Sequence, residues 1–141
     1  MPCSFHPDGT LPAPSATTFW VFGSNLAGRH GKGAAEVAVR QFDAKRGCGV
    51  GFAGQSFAIP TKDASLRVLP LETIRIHVDL FLEKARTLEH LFFFVTRIGC
   101  GLAGYRDDQI APMFAAAPAN CSFAEQWRPY LDSLPAYDIK L

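Results

Sequence analysis

The chain is expected to fold as an α/β domain, a three-layer α/β/α sandwich around a mainly parallel sheet. Three observations predict this. Strand-like and helix-like segments alternate along the chain, which is the pattern of right-handed βαβ units. The runs Thr17-Thr18-Phe19-Trp20-Val21-Phe22 and Leu91-Phe92-Phe93-Phe94-Val95 are apolar almost throughout, as suits strands covered on both faces. Three stretches rich in glycine or polar groups, 23–33, 60–63 and 99–105, each directly follow a strand. In open parallel sheets, ligands bind beyond the C-terminal strand ends.

The elements follow in order. Residues 1–16 contain Pro2, Pro7, Pro12 and Pro14 and show no periodicity. They are expected to form an irregular arm, leaving 17–141 as a single domain. Thr17 to Phe22 is β-branched and aromatic, and predicts a buried strand. From Gly33 to Arg46, Ala35, Ala38, Val39 and Phe42 fall at i, i+3, i+4 and i+7, one apolar stripe of a helix. Gly47-Cys48-Gly49 is expected to end that helix. Val50 to Gln55 reads as a glycine-rich connection, and Ser56 to Ile59 as a short strand running into the polar group Pro60-Thr61-Lys62-Asp63. Pro70 suits the first turn of a helix extending to about Arg86, with Ile74, Val78, Phe81 and Ala85 on its buried stripe. Leu91 to Arg97 is the most apolar strand. Ile110, Met113, Phe114 and Ala117 predict a short helix, whose start Pro112 displaces to near Ala111. Phe123 to Trp127 reads as one more helical turn, and residues 134–141 carry no signal.

Bulk properties narrow the function. At 141 residues the chain fits one domain. A net charge of +1 with no polybasic run gives no sign of a nucleic-acid or membrane surface. No apolar stretch approaches the roughly 20 residues of a membrane span, and no leader pattern is visible, so a cytoplasmic protein is expected. Cysteines 3, 48, 100 and 121 and histidines 6, 30, 77 and 90 show no metal-ligand spacing. No metal or cofactor is expected, and the thiols are expected to be reduced.

The chemistry concentrates in two glycine turns. Gly23-Ser24-Asn25-Leu26-Ala27-Gly28-Arg29-His30-Gly31-Lys32-Gly33 joins a strand to a helix, and Ile98-Gly99-Cys100-Gly101-Leu102-Ala103-Gly104-Tyr105 does the same. Such turns aim backbone N–H groups at an anion, and glycine lets the backbone come close to it. Two of them suggest one ligand held between two loops, or else two ordinary βα turns in which glycine ends the strand and admits the helix. Asn25 can hold a ribose hydroxyl or simply form its own turn. His30 can act as acid or base, but no partner stands at readable spacing. Lys32 can face a phosphate or solvent. Lys62 can attack an aldehyde-like sugar carbon, or pair with Asp63 at the surface. Cys100 is open to two readings: a thiol acidified by a helix start, or a small residue packed under its loop. Tyr105 can lie against a ribose or base, or form a rim aromatic.

These motifs together resemble the macrodomain, an ADP-ribose-binding module. Phe22-Gly23-Ser24-Asn25 is similar to the family's strand leading to its ribose-side asparagine. Gly31-Lys32-Gly33-Ala34-Ala35 is similar to its glycine stretch opening a helix. Ala58-Ile59-Pro60 resembles its inner strand, and Gly99 to Tyr105 its diphosphate loop. The resemblance spans about 17 to 117. It implies ligand contacts from Ser24, Asn25, Leu26, Gly31, Lys32, Gly33 and Ala34 in the first turn. In the second it implies contacts from Gly99, Cys100, Gly101, Leu102, Ala103, Gly104 and Tyr105. Ile59 to Lys62 and Arg97 to Leu102 look closest to the terminal ADP-ribose protein glycohydrolase branch. That branch implies Lys62 as the ribose-attacking lysine, with Asn25 positioning the ribose. Its assisting aspartate falls at Ala103 here, so Asp63 or Asp107 serves only if the fold brings it near. The acidic residue that many macrodomains use for adenine is not evident in the Pro-rich arm. The implied partner is ADP-ribose or a related nucleotide, free or on a modified macromolecule. The implied activity is hydrolytic release of ADP-ribose, and the alternative is a non-catalytic binding module.

Overall fold

The computed structural model describes residues 3–132. Six strands form one sheet: β1 (Ser4–His6), β2 (Thr18–Asn25), β3 (Gly51–Ala53), β4 (Ser56–Lys62), β5 (Phe92–Val95) and β6 (Cys121–Ala124). Their order across the sheet is β1-β6-β5-β2-β4-β3. Every pairing is parallel except β3 with β4. The helices are α1 (Gly33–Gln41), α2 (Leu71–Thr87), α3 (Asp107–Ile110) and α4 (Arg128–Leu131), with 3-10 turns at Ala111–Phe114 and Glu125–Trp127.

Three layers follow from the alternation along each strand. On β2, Trp20 and Phe22 face α1, where they meet Ala35 and Ala38; Val21 faces the opposite layer. That opposite layer is α2 with Ile110, Phe114 and Trp127, closed over Phe57, Ile59, Phe93 and Phe123. Ile74, Val78, Phe81 and Ala85 are fully buried, as the stripe predicts. Each large apolar side chain buried this way contributes roughly 1.5–3 kcal/mol. Among the described residues no helix is long and apolar enough to cross a membrane.

Several elements differ from the sequence expectation. The arm is not wholly irregular: Ser4–His6 pairs with Ser122–Ala124 as an edge strand. Helix α1 ends at Gln41, not Arg46, because Asp43 turns the chain at φ 59°; the Gly47-Cys48-Gly49 stop therefore lies beyond the helix. The Gly51–Ala53 connection is a short antiparallel strand. Strand β4 runs on through Pro60 to Lys62. Proline fits there because β3 pairs only as far as Ala58, so no ladder partner needs its missing N–H on that side. Helix α3 starts at Asp107, and Pro112 falls in the first turn of the 3-10 segment rather than delaying the helix. Cys121–Ala124 is a buried strand, so helical structure in 123–127 is confined to its last three residues. Residues 134–141 lie outside the described part of the chain.

Candidate functional site

All of the C-terminal strand ends except those of β3 and β6 open onto one cleft of about 840 Å³. That volume suits a small organic ligand. Its walls come from four segments far apart in sequence: the arm (His6, Asp8 to Leu11), the first turn with the start of α1, the end of β4 to Leu66, and 96–103.

The first turn is shaped by local bonds. Asn25 Oδ1 accepts from the Arg29 N–H at 2.9 Å, and Asn25 Nδ2 donates to the Arg29 carbonyl at 2.9 Å. The amide thus closes the loop while Asn25 also lines the cleft. Gly49 packs beneath it, where a Cβ would collide with the Asn25 carbonyl. Ser24 Oγ donates to the Gly49 carbonyl at 2.5 Å. Gly31, Lys32, Gly33 and Ala34 all line the cleft. Lys32 is the N-cap of α1 and gives it no side-chain cap, so the helix start is left open toward the cleft. Leu26 is half-exposed and stands outside the cleft wall. His30 is buried, edge-on to Phe22 and with Nε2 3.1 Å from the Cys48 carbonyl, which removes it from acid–base work at the cleft.

The second turn faces the first. Gly99, Cys100, Gly101, Leu102 and Ala103 line the cleft. Among the described residues the N–H groups of Gly101, Leu102 and Ala103 donate to no protein acceptor, nor do those of Gly31 and Lys32. Gly104 and Tyr105 lie outside the cleft. The Tyr105 hydroxyl donates to the Leu69 carbonyl at 2.6 Å, tying this loop to the start of α2. Burial pushes the Cys100 thiol up to about 12, helped by its hydrogen bond with Asp107, so the thiol is not acidified.

Lys62 lines the cleft opposite Asn25 in the ladder, next to a bulge at Ser24/Asn25. It has no ion-pair partner among the described residues. Asp63 does not pair with it: Asp63 Oδ1 accepts from the N–H groups of Ser65 at 2.8 Å and Arg67 at 2.9 Å. Asp107 is likewise committed elsewhere. It accepts two bonds from Arg97, at 3.0 and 2.8 Å, and one from Trp127 Nε1 at 2.7 Å. Partial burial works to raise the Asp107 carboxyl, but the bonds from Trp127, Arg97 and Cys100 outweigh it and hold it below the usual range.

Three cleft residues had no sequence signal strong enough to single them out. Arg97 follows the β5 strand and bonds Asp8 at 3.3 Å as well as Asp107. A charged residue closing an apolar strand was the available clue. Asp8 and His6 come from the strand hidden among prolines. His6 stacks on Phe94 with centroids 3.7 Å apart, and Phe94 stacks on Trp20. Burial lowers the His6 imidazole to about 4, and its Nδ1 lies 2.7 Å from Ser122 Oγ. The cleft therefore carries Arg29, Lys32, Lys62 and Arg97 against a single carboxylate, Asp8.

No protein-family model matches the sequence, and no curated protein matches it. Two solved structures share its architecture. A crystal structure of a Bacteroides thetaiotaomicron protein superposes with TM-score 0.59 at 12% identity, over 88% of this chain and 99% of its own. A macrodomain protein from Streptomyces coelicolor superposes with TM-score 0.56 at 15% identity, over 87% of this chain and 97% of its own. The class is thus an α/β protein with its cleft at the strand ends. Within that class, the fold is the macrodomain fold.

Proposed function

We propose that this protein binds ADP-ribose, and that Lys62 acts on the distal ribose to release it from a modified macromolecule. The observation that carries the reading is the pair of facing turns with free N–H groups across one cationic cleft. Unpaired N–H groups on both walls of the cleft and an uncapped helix start favour a diphosphate. Strand order supports one direction for the ligand in this reading. From β1 to β4 there are four strand spacings of roughly 4.8 Å, about 19 Å in all. The base lies at the arm, near His6, Phe94 and Asp8. The diphosphate lies over the ends of β5 and β2. The distal ribose reaches Lys62 and Asn25.

In this reading Lys62 Nζ attacks the anomeric carbon, the bond to the modified group breaks and that group leaves with the proton given up by Nζ; water then hydrolyses the ribosyl–lysine adduct, freeing ADP-ribose and restoring Lys62. One observation favours the second reading, a binding module without turnover. Ala103 supplies no carboxylate, and Asp63 and Asp107 are both engaged away from Lys62.

Binding is tested by thermal unfolding and calorimetry with ADP-ribose. A ligand at a hundred times its Kd stabilises by about 2.7 kcal/mol, so Tm rises. No heat and no shift at millimolar ligand overturns the proposal. Turnover is tested by incubating an ADP-ribosylated protein with wild type and Lys62→Ala. Release by the wild type at least tenfold above the variant supports catalysis. Equal, background-level release in both leaves the binding module.

A further inference from the structure

We propose that Cys3 and Cys121 are a thiol pair that a peroxide-class oxidant converts to a disulfide, riveting β1 and the cleft-lining arm to the sheet.

The register carries this. Ser4 pairs with Ser122 in a parallel ladder, so Cys3 stands opposite Cys121 one residue earlier on each strand. Neighbouring strands lie roughly 4.8 Å apart, within the Cα separations of about 4.4–6.8 Å that a disulfide accepts. Both side chains pack into the same apolar cluster, so both sulfurs lie on one face of the sheet. Cys121 is fully buried and Cys3 partly exposed. The other two thiols are placed elsewhere: Cys48 follows Gly47 beneath the first turn, and Cys100 sits in the second turn.

The chemistry is a two-step oxidation. Peroxide transfers one oxygen to the Cys3 sulfur, giving a sulfenic acid and water. The Cys121 sulfur then attacks the Cys3 sulfur; its proton and the sulfenic hydroxyl leave as a second water. Two thiols lose two electrons in all, and the peroxide gains them. Burial raises both thiols, so the paired state is slow to react. An edge strand of three residues opens readily, and opening exposes both sulfurs. The consequence lies at the other end of β1. His6, Asp8, Gly9, Thr10 and Leu11 line the cleft and hang on that strand.

The test uses the whole chain and hydrogen peroxide. After exposure, alkylation under denaturing conditions should find two free thiols instead of four. Peptide mapping should join Cys3 to Cys121. Tm should rise by about 5 °C or more and fall back with dithiothreitol. Amide exchange from Ser4 to Leu11 should slow at least tenfold. Cys48→Ser should still lose two thiols, whereas Cys3→Ser should lose none. Four surviving thiols, a bridge between another pair, or a Cys3 driven to sulfinic acid beside a free Cys121 overturns the proposal. So does a Cys3–Cys121 bridge that leaves exchange over Ser4 to Leu11 unchanged. None of these readouts depends on nucleotide binding.

Discussion

His6 shows how much one side chain can be set by its surroundings. Its ring lies flat on Phe94 and its Nδ1 meets Ser122, and burial lowers it to about 4. An unfolded chain takes up a proton on this histidine below pH 6.5, and the folded chain only near pH 4. Protons therefore favour unfolding: the stability His6 contributes is present above pH 6.5 and is lost as pH falls toward 4. A fully buried ring shifted this far would be worth about 3 kcal/mol; partial exposure and screening reduce that to about 1–2 kcal/mol. Urea unfolding between pH 4 and 7 should show this slope, and His6→Phe, which keeps an aromatic on Phe94, should flatten it. The residue scale is also where the sequence said least. Asn25 as turn-former and Asn25 as ligand residue use the same atoms, and only the coordinates show its amide closed on Arg29. Tyr105 shows the same ambiguity, and only the coordinates show its hydroxyl bonded to the Leu69 carbonyl.

Among the elements, those with a long, consistent period were legible. The stripe of α2 was readable because burial on a fixed face demands a repeating pattern, and β2 and β5 because an unbroken apolar run suits a strand covered on both faces. β1, β3 and β6 were not, because each has only three or four residues, too few to show a period, and none is a run of large apolar side chains like that of β5. Cys121-Ser122-Phe123-Ala124 is buried at all four positions, which fits a strand or a helical turn equally well until its partners are known. The same limit hid the junction built on Asp107. Its carboxylate joins the end of β5 through Arg97 to the last 3-10 turn through Trp127. Asp107→Ala should cost about 2–3 kcal/mol, because it leaves the buried Trp127 N–H without an acceptor and Arg97 with Asp8 alone. Chemical denaturation checks this, and Asp107→Asn should recover part of the loss by keeping an acceptor for Trp127.

For the molecule as a whole, the alternation of strands and helices predicted the parallel sheet, and the sheet placed three polar or glycine-rich stretches at one edge. What alternation could not give was strand order. Because β5 and β6 return between β1 and β2, the arm is carried to the far side of the cleft from Lys62. That same return has a practical reach. The turn at Glu89-His90 lies at the end of the sheet away from the cleft, and a chain cut there is divided into pieces that each own only part of the wall. The first piece keeps three of the four wall segments but loses β5 and β6, the two strands that join β1 to β2 across the sheet. Neither piece alone should bind ADP-ribose in calorimetry, whereas a mixture of the two should regain it, with the nucleotide as the clasp. On the proposed function, a chain cut at this turn becomes a two-part device in which recovered nucleotide binding reports the reunion of the pieces.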